Sequence, residues 1–275
     1  MLAKDAVEYL KEKLEKLTDE ARSEAEIFVS HTLGISRGNI QITTKEVNRQ
    51  VLDDFFQKRQ NGEPLQYILG KWDFYKGEFF VGKGVLIPRQ DTETLVEVAT
   101  AFLKTKENPK VIDLCSGSGC VAISIATDYS NSEIIAAEKY REAFYYLEKN
   151  IKHNNTNNVK PVLTDITKES FGKYDLIVSN PPYITKKDMK DLSEEVKNEP
   201  ETALLGGDDG LYFYRAIAEK WIPHLKSGGM LAVEIGIGQE MQVIEIFKNS
   251  GLINVKTQKD LCGVQRVVFG TADLI

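Results

Sequence analysis

The chain has 275 residues, of which 42% are hydrophobic and 28% charged, with a formal net charge of −6. That is enough sequence for one large or two modest domains with a real core, and its composition excludes disordered and fibrous classes. No apolar run reaches the length of a membrane span, Met1 to Asp5 lacks a signal peptide's apolar core, and the acidic balance disfavours broad phosphate-backbone binding. A cytoplasmic protein acting on a protein or small-molecule substrate is expected.

The first seventy residues read as helices. Leu2, Val7, Leu10, Leu14 and Leu17 recur at roughly helical spacing, and a second apolar series from Ala21 to Leu33 stops at Gly34. A third helix is predicted from Thr44 to Gly62, with Thr43 or Thr44 as its N-cap and Asn61-Gly62 as its stop. No catalytic cluster falls in this bundle, which reads equally as a structural cap or as a docking surface for a macromolecular partner. Trp72 to Tyr75 and Glu78 to Val81 are aromatic and β-prone on either side of Lys76-Gly77, which predicts a hairpin bridging two domains. Asp91 or Thr92 would then cap a helix from Glu93 to Leu103.

From Lys110 the period alternates. Strands are predicted at Val111–Leu114, Glu133–Glu138, Lys160–Leu163, Tyr174–Val178 and Gly229–Ile235, with Asn254-Val255 and Gln265–Phe269 closing the sheet. Helices are predicted at Gly119–Thr127, Arg141–Lys152, Leu211–His224 and Gln239–Asn249. Such alternation means an α/β fold with a doubly wound parallel sheet. The three cysteines, Cys115, Cys120 and Cys262, lack metal-ligand spacing and the three histidines are scattered, so no metal site is expected.

Two stretches carry chemistry. After the first sheet strand, Cys115-Ser116-Gly117-Ser118-Gly119 lets the backbone turn tightly beneath a helix N-terminus whose free N–H groups suit a carboxylate. Ala122 stands where the dinucleotide fingerprint has its third glycine, so a nucleoside cofactor without a pyrophosphate is expected. Glu138 ends the next strand where an acid commonly bridges ribose hydroxyls; Asp165 can accept from an adenine amine, and Ile166 can cover the ring. The second stretch is Asn180-Pro181-Pro182-Tyr183, at the C-terminal edge of an apolar strand. Its prolines end the strand, its backbone presents carbonyl oxygens, and Asn180 adds an amide, which together suit a planar –NH2 group with Tyr183 against its face. A short motif of this kind is also an ordinary strand-ending turn.

Together these residues resemble the class I methyltransferases that use S-adenosylmethionine, and among them the HemK/PrmC family, the protein-(glutamine-N5) methyltransferases of peptide chain release factors. The likeness extends to Gly62-Glu63-Pro64-Leu65-Gln66-Tyr67-Ile68-Leu69-Gly70, Leu86-Ile87-Pro88-Arg89, Glu199-Pro200, Gly206-Gly207 and Gly263 to Val268. It implies a helical domain over 1–70 that docks the substrate protein, a hairpin linker over 71–85 and a Rossmann-like catalytic domain over 86–275. It implies cofactor contacts from Cys115 to Gly119, Glu138, Ile166 and the neighbouring Asp165 and Asn180. Glutamine binding falls to Asn180, Pro181, Pro182 and Tyr183, with Asn180 Oδ1 and the Pro181 carbonyl holding the amide for attack. Methyl transfer to the glutamine of a Gly-Gly-Gln loop, supporting translation termination, by a monomer is the implied activity.

Three positions depart from the family pattern: Cys115 where glycine is usual, Glu138 where aspartate is more usual, and Gln90 where proline often follows Arg89. An adenine-N6 methyltransferase of DNA or RNA is the alternative, since an exocyclic amine has the same geometry, but no basic target-recognition insert is evident. A non-catalytic adaptor with a vestigial cofactor fold is a further alternative, disfavoured by intact motifs at both ends.

Overall fold

In a computed structural model that describes residues 1–273, the chain divides into two units, Met1–Lys71 with Ser193–Asn198, and Trp72–Leu192 with Glu199–Ile275. The end of the predicted 86–275 domain, residues 274 and 275, lies outside the described residues.

The first unit is helical. α1 (Ala3–Leu14) buries Ala3, Ala6, Val7, Leu10 and Leu14, the spacing of one helix face. Leu17, expected on that face, lies beyond the helix end and is exposed. α2 (Ala21–Leu33) stops where Gly34 turns left-handed, at φ +60°. α3 (Arg49–Gln60) starts five residues later than Thr44: Asn48 is its N-cap and accepts from Gln50 N. The reason is tertiary, because Val47 N donates to Met1 O and Glu46 bridges Leu2, which holds this stretch extended. Phe28 and Phe55 stack with centroids 3.8 Å apart, and α4 (Leu65–Leu69) buries Leu65. Arg59, 6% exposed, donates to both oxygens of Glu24 at 2.8 and 3.0 Å and to Glu63 O at 2.7 Å, and it also pairs with Glu195.

Hairpin strands β1 (Lys71–Phe74) and β2 (Gly77–Phe80) follow, all but Lys71 in the second unit. The turn falls on Tyr75-Lys76 rather than Lys76-Gly77, and Tyr75 itself takes the left-handed conformation, at φ +53°. α5 (Glu93–Leu103) follows, preceded by a 3-10 turn at Gln90–Thr92. Thr92 sits at the N-cap position, but its side chain makes no cap hydrogen bond.

The sheet then builds from β3 (Lys110–Leu114), α6 (Cys120–Asp128), β4 (Glu133–Glu138), α7 (Arg141–His153), β5 (Val159–Leu163) and β6 (Tyr174–Ser179). After the short α8 (Glu194–Lys197) of the first unit come α9 (Tyr212–Trp221), β7 (Leu225–Glu234), α10 (Glu240–Asn249), β8 (Ile253–Lys259) and β9 (Gln265–Thr271). α9 ends three residues before His224, in a 3-10 turn holding Pro223, which has no N–H for a helical bond.

The strand order is β5-β4-β3-β6-β7-β9-β8. β3 to β7 are parallel as expected, but β9 runs antiparallel to both β7 and β8, so the sheet is mixed. Residues 260–264 between β8 and β9 make a tight turn, too short for the crossover that a parallel pair requires. Alternate strand residues face opposite cores: Val111 and Val178 join Leu95, Ala122 and Leu147, whereas Ile112, Leu114 and Ile177 join Tyr214, Trp221 and Phe247. The chain winds from β3 through β4 to β5 on one side and continues from β6 on the other, which opens a crevice at the carboxyl ends of β3 and β6. Among the described residues no helix is long and apolar enough to cross a membrane.

Candidate functional site

A cavity of about 930 Å³, partly open to solvent, lies in that crevice. Its residues come from the ends of β3, β4, β5 and β6, from the turn before α5 and from residues 200–203. One end is made by backbone. Gly117 N donates to Glu138 Oε2 at 2.9 Å, and Lys139 N and Tyr140 N donate to Glu138 Oε1 at 2.7 and 2.8 Å. One side chain therefore ties the loop after β3 to the loop after β4, while Oε2, with a single donor, keeps accepting capacity. Burial raises the Glu138 pKa, and these three N–H groups oppose the rise. Ser116 N donates to Ala137 O, and Gly119 N to Ser116 O, so the loop closes on itself before α6.

Ser118 Oγ, buried just before α6 at this end, has no hydrogen bond. Asp165 Oδ2 is paired with Lys139 Nζ at 3.1 Å. Burial works to raise the Asp165 pKa, but Thr167 and Lys139 outweigh it and hold the carboxyl below its usual value. Gly117 has nothing within 4 Å of where a Cβ would stand, which leaves open space over the loop. An acceptor, a small hydroxyl and an ionised acid spread along one wall suit a nucleoside bearing an amino-acid tail. The residues present are chemically compatible with S-adenosylmethionine, whose carboxylate suits a helix N-terminus such as that of α6.

The other end is made by side chains. Asn180 Nδ2 donates to Thr92 Oγ1 at 3.1 Å, and both residues line the cavity with Pro182. Behind them Tyr183 OH donates to Glu234 Oε1 at 3.3 Å. Glu234 is 1% exposed, and burial pushes its pKa up to about 7, opposed by Thr92, Arg266 and Tyr183. Arg266 pairs with Asp91 at 3.0 Å and with Asp260 at 3.1 Å. Gln239 Nε2 donates to Tyr183 O at 3.0 Å, and Gly206 leaves no room for a Cβ, which would fall 2.7 Å from Pro182 O. The loop is clamped on both faces.

Of the residues expected at the site, Cys115, Ser116, Gly117, Ser118, Glu138, Asp165, Ile166, Asn180 and Pro182 line this one cavity. Gly119, Pro181 and Tyr183 stand behind the lining. Gly119 is the N-cap of α6, at φ +83° and against Leu147; Pro181 is buried; and the Tyr183 hydroxyl turns to Glu234. No donor among the described residues occupies the Pro181 carbonyl.

Four lining or supporting residues were not expected at the site. Asp113 is fully buried at the end of β3, where burial raises its pKa to about 7. Glu199 accepts from Ile87 N at 2.9 Å and pairs with Arg89, which fixes the wall from Leu86 to Arg89. The third is Thr92, read from sequence as a cap, and the fourth is Glu234, buried beside it. The pattern Asp91-Thr92 before an apolar helix gives a cap signal, which hides the longer-range role.

Comparison with known proteins gives two family matches: "PrmC N-terminal domain" over residues 5–70 and "Methyltransferase small domain" over residues 90–207. The release factor glutamine methyltransferase of Clostridium botulinum is 39% identical over 229 residues, covering 82% of this chain and 81% of the relative. That of Thermodesulfovibrio yellowstonii is 35% identical over 271 residues, covering 96% and 97%. Among solved structures, the T. thermophilus 16S rRNA N2 G1207 methyltransferase in complex with AdoMet and guanosine superposes with a TM-score of 0.53. Its 16% identity, over 74% of this chain and 49% of that chain, is a likeness of fold alone.

Proposed function

We infer, since the chain belongs to the release factor glutamine methyltransferase family, that it transfers a methyl group from S-adenosylmethionine to the side-chain amide nitrogen of a release-factor glutamine. The observation that carries this reading to the residues is one cavity with Glu138 and Asp165 on one wall and Asn180 and Pro182 on the other.

The cofactor, when bound, supplies an electrophilic methyl group on a sulfonium. An amide nitrogen is a poor nucleophile because its lone pair is delocalised, so the chain's task is orientation. Asn180 Oδ1 and the Pro181 carbonyl each accept one amide hydrogen and hold the nitrogen toward the methyl group. Orientation into a near-attack geometry is worth about 7–11 kcal/mol. The same two oxygens stabilise positive charge that develops on nitrogen, and the proton leaves to solvent after transfer. Tyr183 anchors the loop through Glu234, and Glu138 keeps the two cofactor loops in register.

The helical unit is proposed as the docking surface for the release factor, with 71–85 as linker and 86–275 as the catalytic domain. The proposal extends to a cytoplasmic monomer with no direct nucleic-acid partner, and the net charge of −6 supports the last point.

The test is transfer of labelled methyl to a purified release factor, beside a variant of that factor with its Gly-Gly-Gln glutamine changed to alanine and a duplex DNA control. Label on the intact factor alone is expected. Label on DNA, or on both factors equally, overturns the reading.

A further inference from the structure

Asn180 serves as a substrate acceptor only if its amide points one way, with Oδ1 to the cavity and Nδ2 away from it. The opposite rotamer presents two N–H donors to a substrate –NH2 group that also donates, and no hydrogen bond forms. Nothing in the Asn-Pro-Pro-Tyr sequence itself chooses between them. The choice is made from residues far away in the chain. Nδ2 donates to Thr92 Oγ1 at 3.1 Å, 88 residues distant, and Thr92 is 1% exposed. Its oxygen is used as an acceptor, so its proton seeks an acceptor of its own. Glu234 can supply one: Thr92 helps hold its carboxyl down, and its buried Oε2, which takes no hydrogen bond in the structure, is open to that proton. A carboxylate only accepts, so it sets the direction of every bond before it.

We propose that Glu234 and Thr92 are positioning residues that orient the Asn180 amide, the carboxylate drawing the Thr92 proton so that the Thr92 oxygen takes Nδ2 and leaves Oδ1 to the substrate. This rests on the reading of Asn180 as the acceptor of the glutamine amide. Protonation of Glu234 gives it a donor and permits the chain to reverse, Thr92 donating to Asn180 Oδ1 instead. The groups that face Glu234 are Tyr183 from the loop after β6, Thr92 and Asp91 before α5, Arg266 from β9, Cys120 at the start of α6, and Tyr214 of α9, whose hydroxyl donates to Glu234 O at 3.0 Å. Arg266 and the two hydroxyl donors favour the carboxylate, while burial and Asp91 oppose it, so its charge changes in the neutral range.

The experiment measures kcat for methyl transfer and the cofactor Kd for Thr92→Val, Thr92→Ser and Glu234→Gln beside Asn180→Ala. Thr92→Val keeps the shape and removes the acceptor; the expected result is a kcat lower by about tenfold or more with the cofactor Kd within about threefold. Thr92→Ser restores kcat to within about threefold of the parent. A rise of kcat between pH 6 and pH 8 is expected of the parent, and Glu234→Gln lowers kcat and abolishes that rise. The inference is overturned if Thr92→Val keeps the parent kcat, if Thr92→Ser fails to rescue, or if Glu234→Gln retains the parent pH profile. Full turnover by Asn180→Ala instead sinks the underlying reading of the acceptor, and the two failures are thereby separated.

Discussion

The two walls of the cavity are built from different material. On the cofactor wall, main-chain N–H groups converge on Glu138, and the turn from Cys115 to Gly119 closes through its own backbone. On the acceptor wall, orientation passes from side chain to side chain, from Asn180 to Thr92, with Glu234, Tyr183 and Arg266 behind. A backbone wall holds its shape under most side-chain changes, because its donors cannot rotate away. A side-chain wall sets a direction that a single substitution can lose, and direction is what an amide nucleophile requires. Binding and turnover are therefore expected to respond separately to changes on the two walls.

The sharpest break is at Asn180. Asn180→Ala removes the amide oxygen proposed to accept the substrate hydrogen, together with the bond to Thr92. Loss of one preorganised catalytic hydrogen bond typically costs about 10²- to 10³-fold in kcat, and a fall in that range is expected with the cofactor Kd within about threefold by calorimetry. A comparable loss of cofactor affinity would erase the distinction between the walls.

Glu138→Ala probes the opposite wall. It leaves the N–H groups of Gly117, Lys139 and Tyr140 without their shared acceptor and removes the carboxylate proposed to meet the cofactor's ribose. At about 1–3 kcal/mol for a lost buried partner, cofactor Kd rises by about 10- to 100-fold, while kcat at saturating cofactor stays within about threefold. A kcat collapse with unchanged Kd counts against it.

Each wall also hides one carboxyl with a pKa raised to about 7, Asp113 behind the glycine-rich loop and Glu234 behind Asn180. Below its unfolded value each group is protonated in both states and takes nothing from stability. As pH climbs toward 7 the unfolded chain ionises first, so each group's contribution to stability is lost over that window and is flat above it. Asp113→Asn and Glu234→Gln should each flatten the decline of Tm between pH 5 and pH 7 relative to the parent. Parallel Tm curves for parent and variants would show that these carboxyls ionise as freely as exposed ones.

The same contrast decides what the sequence disclosed. The glycine-rich loop, Glu138 and Asn180-Pro181-Pro182-Tyr183 are local patterns at strand ends, and local patterns survive in a one-dimensional string. The alternation from Lys110 onward likewise located the buried strands of the sheet, because a buried strand must be apolar whatever its neighbours are, whereas the mostly exposed β8 showed only as Asn254-Val255. Thr92 and Glu234 have no such mark. Their partners lie 88 and 51 residues away, and the local rule for Asp91-Thr92 points to helix capping. The start of α3 was misread for a related reason: Thr43 and Thr44 offer caps, but backbone pairing of Glu46 and Val47 with Leu2 and Met1 holds the chain extended until Asn48. The reversed direction of β9 was legible in principle, from the few residues between it and β8.

The smallest expected effect falls on Cys115, where the family usually has glycine. Its φ of +60° lies in the left-handed region, which costs a residue with a Cβ about 1–2 kcal/mol. Cys115→Gly removes that cost, but it also removes a half-buried thiol that packs on the core and gives the unfolded chain more freedom, worth about 0.5–1 kcal/mol each. These terms nearly cancel, and a Tm within about 4 °C of the parent is expected. The loop's shape is held by Ser116 N on Ala137 O, Gly119 N on Ser116 O and Gly117 N on Glu138, none of which involves the Cys115 side chain. Cofactor Kd should therefore stay within about threefold. A tenfold change would mean that the thiol, and not the backbone, shapes this end of the cavity.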